Sequence, residues 1–141
     1  MNENVINLVY KNAHVALQSI SNVLPETANK DMRDELRRQY EGYEKIIGEI
    51  SEYMSQKSFK PKDINPMKKA MLFTSIKMNT LSDDSKSHIA EMMLKGTIMG
   101  ITELRQLISK HEGSVDSEVI DFAKKLLNLE EDYEQTLKQM L

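Results

Sequence analysis

Apolar residues recur at steps of three and four through most of this 141-residue chain. Strands alternate with a period of two, so this spacing restricts the fold to packed amphipathic helices. The first stretch, residues 3–24, carries Ile6, Val9, Tyr10, Ala13, Ala16, Leu17, Ile20, Val23 and Leu24 on one stripe, while Asn12 and His14 fall off it. Pro25 and the polar residues 26–30 make a short turn. The second stretch, 29–56, shows Met32, Leu36, Tyr40, Tyr43, Ile46, Ile47, Ile50, Tyr53 and Met54. A turn this short leaves the two helices antiparallel.

Residues 58–63 are polar and include Pro61. Asn65-Pro66 reads as an N-cap followed by proline at the first helical position. It opens a short amphipathic helix over 66–80, with Met67, Ala70, Met71, Thr74 and Met78 on its stripe. Ser82, Asp83 and Asp84 end that unit and cap a helix over 84–111. This helix is apolar nearly all round (Ile89, Met92, Met93, Leu94, Ile98, Met99, Ile101, Leu104), which predicts that it is the most buried of the set. Gly96 and Gly100 cost it stability, so close helix contact is expected at both. Gly113 is a stop, and Ser114 or Asp116 caps a last helix over 115–140, striped by Val119, Phe122, Ala123, Leu126, Leu129, Tyr133, Leu137 and Met140. The reading is one all-α domain: two hairpins joined by a connection of more than twenty residues. That is an antiparallel four-helix bundle with one long crossover containing a short extra helix.

The hairpins resemble each other faintly. A shift of ninety residues lays Leu36, Glu41, Tyr43 and Glu44 on Leu126, Glu131, Tyr133 and Glu134; a shift of eighty-four lays Leu17 and Ile20 on Ile101 and Leu104. Amphipathic helices also align this way without a common origin.

Composition narrows the function. With 40% hydrophobic and 29% charged residues, the chain is an ordinary soluble globular protein. The net charge of −3 argues against nucleic acid as the main partner. The absence of cysteine removes disulfides, zinc–thiolate sites and a cysteine nucleophile. No apolar run is long enough to span a bilayer, and the start lacks a basic-then-apolar signal pattern. A cytoplasmic protein of bacterial type is the expectation.

The order of helices, with "QYEGYEKII" at residues 39–47, resembles the ferritin-like superfamily, in particular its rubrerythrin-related and spore-coat-type bacterial branch. The resemblance covers nearly the whole chain and rests on topology, stripe and spacing. It implies an inward-facing ligand set: one Glu from the first helix, Glu-x-x-His from the second, one Glu from the next long helix and Glu-x-x-His from the last. Counted outward from the turns, those positions read Ala13, Tyr40 with Tyr43, Thr97, and Glu130 with Tyr133. One carboxylate and no histidine remain. A desolvated divalent ion needs several oxygen or nitrogen ligands, so the expectation is a degenerate site filled by tyrosine rings, with no metal and no cofactor.

Other polar residues have ordinary readings. His14 is a surface group. His88 and Glu91 share a face near a helix start, where Glu91 serves the dipole. Glu41, Glu44, Glu131 and Glu134 fall on outer, solvated faces. Glu130 flanks its stripe and has two readings, a carboxylate reaching water or a half-buried one bonded to a tyrosine hydroxyl, with Tyr133 the nearest. Arg105 and His111, in "RQLISKH", resemble the Arg and His of small HEPN-type helical ribonucleases, which implies a phosphorane-stabilising pair; His111 equally suits a helix C-terminus.

No complete catalytic constellation emerges. The expectation is a ferritin-like bundle without a working metal centre, acting as a structural or protein-interaction domain that also self-associates. Ten methionines supply adaptable apolar surface for a partner or a homo-oligomer. The rival is a metal-binding oxidoreductase or storage protein with displaced ligands. Met67, Met71 and Met78 are expected to dock the crossover helix.

Overall fold

A computed structural model describes residues 1–62 and 85–141. Among them are four α-helices and no strand: α1 (Asn2–Val23), α2 (Lys30–Gln56), α3 (Lys86–His111) and α4 (Ser117–Gln139). The short helix expected over 66–80, its capping Asn65-Pro66, and the docking of Met67, Met71 and Met78 lie outside the described residues.

Local chemistry sets the helix ends. A 3-10 turn, Leu24–Glu26, follows α1, and Thr27 closes it by donating its hydroxyl to the Val23 carbonyl. Asn29 caps α2, its side chain accepting from the Met32 amide at 3.0 Å. Ser85 caps α3 by accepting from the His88 amide, so the cap is this hydroxyl rather than the expected residues 82–84. Gly113 stops the second hairpin with φ of 88°, a left-handed conformation open to glycine at little cost. Asp116 holds the N-cap position of α4 without a side-chain cap. Its own amide is taken by the Asn2 side chain instead.

That bond helps fix how the hairpins meet. Asn2 lies beside Asp116, and Asn12 beside Gly100, so α1 and α3 run antiparallel. Glu49 pairs with Lys125 and Arg38 with Asp132, so α2 and α4 run antiparallel as well. After α2 the chain returns past the start of α1. There the Asn7 side chain donates to the Lys60 carbonyl and accepts from the Lys62 amide.

The core contains one face of each helix. Fully buried side chains include Ile6 and Ile20 from α1, Leu36 and Ile50 from α2, Ile89 and Leu104 from α3, and Leu126 and Leu137 from α4. Burying each such side chain stabilises the fold by roughly 1.5–3 kcal/mol. The expectation that α3 is the most buried helix is corrected here. It buries six residues against eight in each of the others, and Ile98 and Met99 stand exposed. Only one side of α3 meets the core, and part of its other apolar surface borders a cleft.

Candidate functional site

In α4, Val119, Ala123, Leu126, Glu130, Tyr133 and Leu137 follow steps of four and three, and all are buried. This seam carries Glu130 into the centre of the bundle, where it is 1% exposed. Its Oε2 accepts from the Tyr43 hydroxyl at 3.4 Å, while its buried Oε1 has no hydrogen-bond partner among the described residues. Of the two expected readings the bond to a tyrosine hydroxyl is the one seen, with Tyr43 rather than Tyr133 as donor and the carboxyl fully rather than half buried. The side chains of Glu130 and Tyr133 diverge, Glu130 toward α3 and Tyr133 toward α2.

Two glycines accept those side chains. A Cβ at Gly100 would lie 2.5 Å from Glu130 Oε1. A Cβ at Gly42 would overlap the Tyr133 hydroxyl and lie 3.2 Å from its ring carbon Cζ. The Tyr133 hydroxyl donates to the Gln39 carbonyl at 3.5 Å, and its ring meets that of Tyr43 edge-on with centroids 5.3 Å apart. Arg38 covers the Tyr133 ring from outside, 5.1 Å from its centroid, while donating to Glu35 and Asp132. Of the two glycines expected at close helix contacts, Gly100 makes one. Gly96 would meet nothing within 4 Å, and Gly42 makes the contact that the sequence reading missed.

Electrostatics follow from this burial. Desolvation pushes the Glu130 carboxyl up to about 8; the Tyr43 hydrogen bond opposes the rise and the charge of Glu103 adds to it. Tyr43 is held well above the usual phenol range, chiefly by burial and then by the neighbouring Glu130. Burial also raises Tyr133 to about 12, against the opposing pull of Arg38.

Glu130 is not sealed in. A cavity of about 650 Å³ between α1 and α3 reaches it. The deepest part of its lining is polar: Glu130, Tyr43, Gln39, Asn12 and Thr97. Its sides are mainly apolar, with Ala16, Ile20, Met93 and Leu104, and the exposed Leu8 and Met99 stand at its mouth. Asn12, read from sequence as lying off the stripe, is 8% exposed. Its Nδ2 donates to the Gly100 carbonyl at 3.1 Å and to Glu103 at 3.4 Å, which leaves its buried Oδ1 without a partner.

The predicted positions separate into those that meet and those that do not. Tyr43, Thr97 and Glu130 all line the cavity, and Tyr133 packs behind Tyr43. The Thr97 hydroxyl bonds its own helix at the Met93 carbonyl. Ala13 is wholly buried in the core. Tyr40 lies in a different hollow, with Leu24, Pro25, Arg37 and Glu41, and its neighbour Gln39 occupies the inner place. Only a strict alternation of four and three shows this: Met32, Leu36, Gln39, Tyr43, Ile46 and Ile50 keep it, whereas Tyr40 takes two successive steps of four from Met32. Val5, Val9, Asn12 and Ala16 share the same steps, which would have found Asn12.

The remaining candidates are dispersed. His88 and Glu91 line the cavity, Glu91 paired with Lys95. His14 is half-buried against the Tyr10 ring. Glu41 and Glu44 are exposed, while Glu131 and Glu134 are half-buried and pair with Arg105 and Lys138. Arg105 thus donates to an outer-face carboxylate, and His111 ends α3 among its basic last-turn residues. Among the described residues, no three His, Asp or Glu converge as metal ligands would.

The arrangement offers one buried carboxyl with an uncommitted oxygen, one buried amide oxygen likewise uncommitted, and an apolar chamber leading to both. It can bind a hydrogen-bond donor and hold or release a proton. No helix among the described residues is long and apolar enough to cross a membrane. The chain matches no protein-family model, and no curated protein and no solved structure shows significant similarity to it.

Proposed function

We propose that this protein is a non-catalytic binding module on a ferritin-like bundle, in which tyrosines and a lone carboxyl stand where a metal centre would be, and that the cleft between α1 and α3 receives its partner. The observation that carries this reading is the cavity of about 650 Å³ ending on Glu130. Ligand sites are concave, mostly apolar, and furnished with a few convergent polar groups. The helix directions support the ferritin-like topology. Since α1 runs antiparallel to both α2 and α3, α2 and α3 point the same way. Consecutive parallel helices call for a connection along the bundle's length, as in the crossover class. Ala13, Thr97 and the tyrosines supply no carboxylate or imidazole beside Glu130, and a divalent ion needs a fuller oxygen set.

Uptake of an environment-sensitive apolar dye tests this. One dye should bind per chain, and Gly96→Phe should abolish uptake while leaving the helical content intact. A Cβ there meets nothing within 4 Å, so the ring would enter the cleft without displacing core atoms. Absence of dye uptake would overturn the reading. So would one tightly held equivalent of iron, manganese or zinc that is lost on Glu130→Ala, which would favour the metal-binding alternative. Leu8 and Met99, 50% and 66% exposed, favour a second form of the reading, in which a protein partner or a second copy closes the mouth. Sedimentation over a range of concentrations tests the self-associating case.

A further inference from the structure

The cleft ends on two buried oxygen acceptors without donors. Glu130 Oε1 and Asn12 Oδ1 belong to side chains at least nine-tenths buried, and both residues line the same cavity. Leaving a buried polar atom unmade costs about 1–3 kcal/mol. Each acceptor is oriented by the other polar atom of its own side chain. Glu130 is held by Tyr43 through Oε2 and seated on Gly100, and Asn12 is oriented by the two bonds from its Nδ2. The Glu103 carboxylate, reached through that amide, adds negative charge on the same side.

We propose that the ligand of this cleft is an organic ammonium on an apolar chain, its N–H groups donating to Glu130 Oε1 and Asn12 Oδ1. This rests on the cleft-binding reading above and adds the ligand's chemistry. An ammonium carries three donors and no acceptor, which matches two unpaired acceptors beside the Glu103 carboxylate. Its chain fits the mainly apolar walls around Ala16, Met93 and Leu104. A bare divalent cation would lack the further oxygen ligands it requires. A fatty carboxylate would set its charge beside Glu103 and supply no donor to Asn12 Oδ1.

The charged groups around the cleft are consistent with this. Lys11 faces it from α1 and Tyr43 from α2. His88, Glu91, Lys95 and Glu103 face it from α3, Lys95 being engaged with Glu91; on α4, Tyr133 lies behind Tyr43. With its carboxyl raised to about 8, Glu130 is largely protonated at neutral pH. Binding an ammonium returns it to the carboxylate and releases that proton to solvent.

Calorimetric titration of the intact chain with octylamine, 1-octanol and octanoate, below their micellar concentrations, tests the proposal. Octylammonium should bind about tenfold or more tighter than octanol, with octanoate the weakest. Near neutral pH its binding heat should vary with buffer ionisation enthalpy, reporting about one proton released. Glu130→Gln should bring the amine to the level of octanol and remove the proton release. Equal affinity for all three ligands, no proton release, or an amine preference that survives Glu130→Gln would overturn the ammonium assignment while leaving the cleft as a binding site. Failure of all three ligands together with the apolar dye would overturn the cleft itself.

Discussion

The carboxylate of Glu130 occupies the space that a side chain at Gly100 would need, with only 2.5 Å between Oε1 and a Cβ built there. The same relation recurs between Tyr133 and Gly42, where the phenol fills the vacancy. Each α4 residue thus presses a polar group against helical backbone on a different neighbour.

These contacts predict the effect of adding one methyl group. Alanine is favoured over glycine in a helix by about 0.8–1 kcal/mol, whereas overpacking costs about 1–3 kcal/mol. Gly42→Ala should destabilise by the larger amount, because a rigid ring cannot bend away, and Tyr133→Phe should relieve most of the loss. Gly100→Ala should cost less, because a Glu chain has torsions to spend, and should turn stabilising beside Glu130→Ala. Urea unfolding of the single and double variants checks both pairs.

Stability should fall as the pH rises toward 8. The Glu130 carboxyl titrates near 8 when folded and near its ordinary 4.5 when unfolded, so the native state holds the extra proton in between. Its stabilisation is complete below about pH 4.5 and lost as the pH climbs through about 8. The slope approaches about 1.4 kcal/mol per pH unit within that window. Comparing urea midpoints at mildly acidic and mildly alkaline pH should show this trend, and Glu130→Gln should flatten it.

Glu130 should couple to Tyr43 and not to Tyr133. A double-mutant cycle of Glu130→Ala with Tyr43→Phe should give an interaction of about 0.5–1 kcal/mol, since the hydrogen bond is long at 3.4 Å. With Tyr133→Phe the effects should be closer to additive, because that hydroxyl donates to the Gln39 carbonyl instead. Equal coupling to both tyrosines would contradict this geometry.

Asn12→Leu should stabilise the free protein, by about 1 kcal/mol. It removes a buried amide oxygen that has no partner, at the loss of a bond to a backbone carbonyl and one to Glu103. The same change should weaken octylamine binding. A loss of stability with octylamine binding unchanged would show that Asn12 serves the fold alone.

The helices and most of their inner faces are legible in the amino-acid pattern alone. Steps of three and four fix which residues share a side, whatever that side meets, so Leu36, Ile50, Leu126 and Leu137 were legible as core. Gly113 is legible because a left-handed stop depends on a few neighbouring residues; Asn29, expected as the first residue of the second helix, is its cap instead. The same spacing, applied strictly, also contains Gln39, Asn12 and Glu130. Asn12 reads as lying off its stripe because it is polar, Glu130 admits both an outward and a half-buried place, and Gln39 draws no notice beside Tyr40. Their burial is set by the assembled bundle, in which Glu130 accepts from Tyr43, Asn12 donates to the Gly100 carbonyl and the Gln39 carbonyl accepts from Tyr133. The cleft and the two glycine seats likewise exist only once helices distant in sequence approach. Local pattern says which side of a helix is inside; it does not say how closely two insides fit.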